Sequence, residues 1–139
     1  MIKALIIDDE TSAVNTMQLM LERYAPEISS VKSTNALCIH EVIDLINSYD
    51  PDLIFLDIQM PVITGFELLK LIPAINFEII FTTAHDQYAV EAIRFSALDY
   101  LLKPIDADEL KNAVQRFVEK RQFMPVSYTH LTLPTKRIV

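Results

Sequence analysis

The sequence predicts an α/β fold, a doubly wound parallel sheet with helices on both faces. Three observations predict it. Apolar, β-prone runs alternate with helical stretches five times along the chain, the pattern of consecutive βα units. One run, Leu53-Ile54-Phe55-Leu56, is unbroken and bounded by Pro51 and Pro61, as expected of a central strand buried on both faces. That run ends on a carboxylate, Asp57, at the strand end where open α/β sheets place their ligands.

Taken in order, Ile2 to Ile7 is the first strand and runs straight into Asp8-Asp9-Glu10. Thr11 or Ser12 is the candidate cap of a helix reaching Tyr24, with Val14, Met17, Leu21 and Tyr24 at helical spacing. Pro26 ends it. Ile28 to Thr34 is a more polar strand, suited to a sheet edge, and residues 36–48 make a second helix with Ile39, Val42, Ile43 and Ile46 on one face. The strand ending at Asp57 follows, then a helix from Phe66 to Leu71, and a buried strand from Phe77 to Thr82. Residues 86–96 read as one more polar helix and Leu98 to Leu102 as a short fifth strand before Lys103-Pro104. Asp106 caps a last helix to about Arg121, with Leu110, Val114, Phe117 and Val118 facing the sheet.

Composition excludes several functions. The chain has 139 residues, 51% of them hydrophobic and 22% charged, which suits one globular domain. Its net charge of -7 makes the segment itself a poor ligand for nucleic acid. A single cysteine, Cys38, permits no internal disulfide and leaves a His/Cys metal site without partners. No run has the length of a secretory leader core or a membrane span, so a cytoplasmic location is expected. The one glycine, Gly65, rules out the glycine-rich loops that cradle phosphates, which need several glycines at fixed spacing. Phosphate chemistry here must rest on side chains and a metal.

Such side chains stand at the strand ends: Asp8 and Asp9 after the first, Asp57 on the third, Thr83 after the fourth and Lys103 after the fifth. Asp57 alone has a plain alternative, capping the turn that follows it. As a set, three converging carboxylates repel one another and raise their pKa values unless cations answer them. Lys103 brings one positive charge. A hard divalent ion such as Mg²⁺ suits the remainder, and Asp57 is then a candidate carboxylate nucleophile forming an acyl phosphate, with metal and Lys103 neutralising phosphoryl oxygens.

Met1 to about Gln122 resembles a two-component response-regulator receiver domain. The resemblance is carried by Leu5-Ile6-Ile7-Asp8-Asp9-Glu10, Leu56-Asp57-Ile58-Gln59-Met60-Pro61 with Gly65, Phe81-Thr82-Thr83-Ala84, and Asp99-Tyr100-Leu101-Leu102-Lys103-Pro104. His85-Asp86-Gln87-Tyr88-Ala89 and Ala97-Leu98-Asp99-Tyr100 are further similar to receivers that precede a LytTR-type DNA-binding domain. The resemblance implies a flavodoxin-like fold, five parallel strands in the order 2-1-3-4-5 with five helices. It implies Asp57 as phosphoacceptor, and Mg²⁺ held by Asp9, by Asp8 mainly through water, by Asp57 and by the Gln59 backbone carbonyl. Thr83 and Lys103 would bind phosphoryl oxygens, Thr83 and Tyr100 would form a switch pair, and the Lys103-Pro104 bond would be cis. Gln59 and His85 sit where such proteins vary.

The function expected from this is a signalling switch rather than an enzyme with an external substrate. A sensor histidine kinase would donate the phosphoryl group, and homodimers would form through the 86–96 helix, the 98–102 strand and the last helix. Two alternatives fit the residues less well. An Asp-nucleophile phosphatase would want a second acid where Gln59 stands. A non-phosphorylated interaction module would have no need of the full acid set with Thr83 and Lys103. Residues 123–139, with two prolines and no acid, read as a linker stub or as residues added by cloning, with Tyr128 to Leu133 as a possible edge strand.

Overall fold

β1 (Lys3–Ile7), β2 (Ser30–Thr34), β3 (Leu53–Asp57), β4 (Glu78–Thr83) and β5 (Asp99–Leu102) form one parallel sheet in the order β2-β1-β3-β4-β5 in the computed structural model, which describes residues 1–122. The expected order is the observed one. The tail from residue 123, with its expected edge strand, lies outside the described residues.

Between the strands run α1 (Thr11–Tyr24), α2 (Ile39–Tyr49), α3 (Gly65–Leu71), α4 (Ala89–Arg94) and α5 (Ala107–Gln122). Strand β3 is buried along its whole length. Alternation along it sends Leu53 and Phe55 into a core with Met17 and Leu21 of α1 and Leu110, Val114 and Phe117 of α5. Ile54 and Leu56 enter the opposite core, with Val42 and Ile46 of α2 and Phe66, Leu68 and Leu69 of α3. Each of these large apolar side chains contributes roughly 2 kcal/mol on burial. Two packed faces hold β3 rigidly, and Asp57 is presented from that support.

Several boundaries differ from the sequence reading, each for a local reason. Helix α1 is capped by neither Thr11 nor Ser12: its N-cap is Glu10, in extended conformation, with its amide donating to Asp8 Oδ1 at 2.9 Å. Strand β2 begins at Ser30, because Ile28 is turned back by its amide bond to the Ala25 carbonyl. Helix α2 begins at Ile39 rather than 36. Thr34 Oγ1 and Asn35 Oδ1 accept the amides of Ala36 and Leu37, and Ala36 adopts a φ of 61°, so the chain turns before it coils.

The stretch read as one helix over 86–96 is a 3₁₀ turn, Asp86–Tyr88, followed by α4. Tyr88 gives its amide to the Tyr100 hydroxyl at 3.3 Å, and the α-helix starts one residue later. Helix α5 starts as expected, with Asp106 Oδ2 accepting the Glu109 amide at 3.0 Å.

Candidate functional site

Parallel topology brings the carboxyl ends of β1, β3, β4 and β5 to one rim of the sheet, and the residues just past the apolar runs meet there. Asp8 and Asp57 are buried, 4% and 3% exposed, while Asp9 is half-buried. Asp8, Asp9 and Asp57 each offer an oxygen, and the three lie within 4.8 Å of one another. Lys103 Nζ reaches across to donate to Asp8 Oδ2 at 2.8 Å, and stands 3.7 Å from Asp57 Oδ2 and 3.8 Å from Glu10 Oε1. The Lys103-Pro104 bond is cis, as the resemblance implied.

The electrostatics follow from burial. Desolvation pushes the Asp57 carboxyl up to about 7 from its ordinary 3.8, and the neighbouring charges of Asp8 and Asp9 add to this. Lys103 and the Gln59 amide act in the opposite direction without restoring the ordinary value. Burial alone would lower Lys103, but its hydrogen bond to Asp8 and the charges of Asp57, Asp8 and Glu10 outweigh that and raise it. The site therefore holds one firmly charged cation against a surplus of carboxylate. An all-oxygen donor set of this spacing and sign fits a hard divalent cation such as Mg²⁺.

Gly65 has a steric reason. A Cβ there would stand 2.6 Å from the Asp57 carbonyl oxygen and 3.1 Å from Leu56 Cγ, and the Gly65 amide donates to the Ile58 carbonyl at 2.9 Å. Helix α3 thus presses its first residue onto the backbone that carries Asp57. Thr64 fixes that start with a capping box: its hydroxyl accepts the Glu67 amide at 3.1 Å, while Glu67 Oε1 accepts the Thr64 amide at 3.0 Å.

Thr83 and Tyr100, expected as a pair, share no direct bond. Both meet His85: the His85 amide donates to Thr83 Oγ1 at 3.2 Å, and the Tyr100 hydroxyl donates to the His85 carbonyl. Thr83 is fully buried at the end of β4 and Tyr100 half-buried on β5, opposite Phe81. Burial also raises the Tyr100 phenol above its ordinary pKa. The exposed His85 thus takes part through its backbone. The sequence reading missed the Gln59 side chain, whose Nε2 donates to the Tyr88 hydroxyl at 2.8 Å across the pocket mouth, and Glu10 beside Lys103. A 3₁₀ turn at Asp86–Tyr88 leaves no mark in composition or periodicity.

Comparison with known proteins agrees with this geometry. Residues 4–115 match the response regulator receiver domain family. An uncharacterized response regulatory protein of Vibrio cholerae is 42% identical over 137 residues, covering 97% of this chain and 55% of that protein. The sensory transduction protein LytT of Bacillus anthracis is 32% identical, over 88% of this chain and 49% of its own length, in accord with the LytTR-type resemblance. The chain thus spans about half the length of these curated relatives. Among solved structures, the response regulatory domain of MrkE from Klebsiella pneumoniae is similar, with a TM-score of 0.73 and 27% identity over 88% of this chain and 99% of that one. Motifs, strand order and relatives converge, and the chain belongs to the receiver-domain family of two-component response regulators.

Proposed function

We propose that this receiver takes a phosphoryl group from a sensor histidine kinase onto Asp57 and passes the event on as a conformational change. The observation that supports it is the meeting of three strand-end carboxylates with Lys103, 3.7 Å from Asp57. An Asp57 oxygen attacks phosphorus, the new O–P bond replaces the N–P bond of a phosphohistidine whose other ring nitrogen carries a proton, and the electron pair returns to the departing nitrogen, so that neutral imidazole leaves. Asp8, Asp9, Asp57 and the Gln59 carbonyl would hold Mg²⁺. When bound, that ion neutralises carboxylate and phosphoryl oxygens and keeps Asp57 ionised at neutral pH. Lys103 and the Thr83 hydroxyl take the remaining phosphoryl oxygens.

The chain catalyses only its own phosphorylation and dephosphorylation. Its output is a DNA-binding domain outside this chain, and it works in the cytoplasm; no helix among the described residues is long and apolar enough to cross a membrane. Activation pairs two copies through α4, β5 and α5.

A small phosphodonor such as acetyl phosphate, with Mg²⁺, tests this. One residue, Asp57, should become labelled in a hydroxylamine-sensitive bond, and Asp57→Asn should take no label. Undiminished labelling of Asp57→Asn overturns the reading.

A further inference from the structure

Two hydrogen-bonded branches converge on the Tyr100 hydroxyl. One comes from Thr83: the His85 amide donates to Thr83 Oγ1, and the His85 carbonyl accepts the Tyr100 hydroxyl. The other comes from the opposite lip of the acidic pocket. Gln59, two residues past Asp57, donates from Nε2 to the Tyr88 hydroxyl at 2.8 Å, and the Tyr88 amide donates to the Tyr100 hydroxyl at 3.3 Å. The second branch does not pass through Thr83.

Tyr88 is held by more than these bonds. Its ring lies 6.1 Å from that of Phe66 and 6.4 Å edge-on to that of His85. Phe66 itself sits in the core under α3, 4.8 Å from the ring of Phe81. Tyr88 is thus bonded at both ends, its phenol to Gln59 and its amide to the Tyr100 hydroxyl. The phenol pairs with either end of the Gln59 amide, because a hydroxyl both donates and accepts.

We propose that Tyr88 is a positioning residue that ties the mouth of the acidic pocket, through Gln59, to Tyr100 along a route separate from Thr83. The consequence is two inputs to one tyrosine. Thr83 would report the phosphoryl oxygens on its side of the pocket, and Gln59 the loop that follows Asp57.

The inference deepens the proposed function and rests on it only for its phosphorylated arm. In the unphosphorylated protein, Gln59→Met should move the Tyr100 ring resonances although the two residues share no bond. Tyr88→Phe, which keeps the ring packing and removes the hydroxyl, should produce the same displacement, and the double variant no more than either alone. After labelling with acetyl phosphate and Mg²⁺, with the mass of each sample confirming the adduct, Tyr88→Phe should lose about half of the phosphorylation-dependent Tyr100 shift. Tyr88→Phe with Thr83→Ala should lose nearly all of it. Tyr100 resonances unmoved by both single variants in the unphosphorylated protein overturn the inference. An unlabelled Asp57 in the parent overturns the phosphoacceptor reading instead, and leaves the first comparison standing as the test.

Discussion

Lys103 Nζ is 2.8 Å from Asp8 Oδ2 but 3.7 Å from Asp57 Oδ2, so the one cation among the described residues at the rim of the acid pocket is bonded to Asp8 rather than to the nucleophile. The remaining negative charge on Asp9 and Asp57 then calls for a second cation. Titration with Mg²⁺ at neutral pH should show one site in the parent, and Asp9→Ala should weaken it at least tenfold, about 1.4 kcal/mol. Isothermal calorimetry or a thermal-shift series decides this. Equal affinity in Asp9→Ala would show that the acid cluster is not the metal site.

The raised pKa of Asp57 has a sign that can be checked. Between about pH 4 and pH 7 the folded chain keeps a proton on Asp57 that the unfolded chain has released. Folding stability from this group is therefore fully present below pH 4 and falls as pH rises toward 7. Replacement by Asn removes the charge. Without divalent metal, Asp57→Asn should be more stable than the parent at pH 8, by on the order of 2–4 kcal/mol, and near parity at pH 4. Mg²⁺ should narrow the gap at pH 8 by stabilising the parent. Urea denaturation of both proteins at the two pH values measures it. A gap that does not change with pH refutes the desolvated carboxylate.

Gly65 bears on the same backbone. A methyl group there would stand 2.6 Å from the Asp57 carbonyl oxygen, a main-chain atom in a strand packed on both faces. Neither side gives way cheaply, and overpacking of this kind costs about 1–3 kcal/mol. Gly65→Ala should lose that much stability and also slow labelling of Asp57, since the strain falls on the residue that presents the nucleophile. Gly65→Ala with parental stability would mean that α3 shifts freely, against the packing described.

How much of this was legible in the sequence depends on the range of the interaction. The β3 strand and its terminal Asp57 were plain because an apolar run ending in a charged residue is a local pattern, and Asp8 and Lys103 followed from the same pattern on β1 and β5. The capping box at Thr64 and Glu67 had a local signal as well, Thr-x-x-Glu, although the helix was read as starting at Phe66. What could not be read were contacts across the sheet. The preference of Lys103 for Asp8 over Asp57 is set by side-chain reach between residues 95 apart. The Tyr88 amide finds its acceptor in the Tyr100 hydroxyl, on another strand. Helical periodicity over 86–96 does not separate a 3₁₀ turn and a shorter helix from one continuous helix, and so a single helix was expected there.

The output face yields the last prediction. Val90 and Ile93 on α4 are 61% and 75% exposed, and Leu102 at the end of β5 is 40% exposed; the Asp99–Arg116 ion pair links the start of β5 to α5. Exposed apolar residues flanked by charged ones suit a contact that forms in one state and opens in the other. Tyr100 lies on β5, which stands between α4 and α5 in the chain, and its hydroxyl bonds His85 and Tyr88 just before α4. If phosphorylation pairs two copies here, Ile93→Glu places a charge in the buried centre and should weaken phosphorylation-dependent association at least tenfold. The labelling of Asp57 should stay unchanged, because Ile93 touches none of the acid pocket. Sedimentation of the phosphorylated parent and of Ile93→Glu, each with and without donor, separates the outcomes. Association undiminished in Ile93→Glu would place the dimer contact on another face.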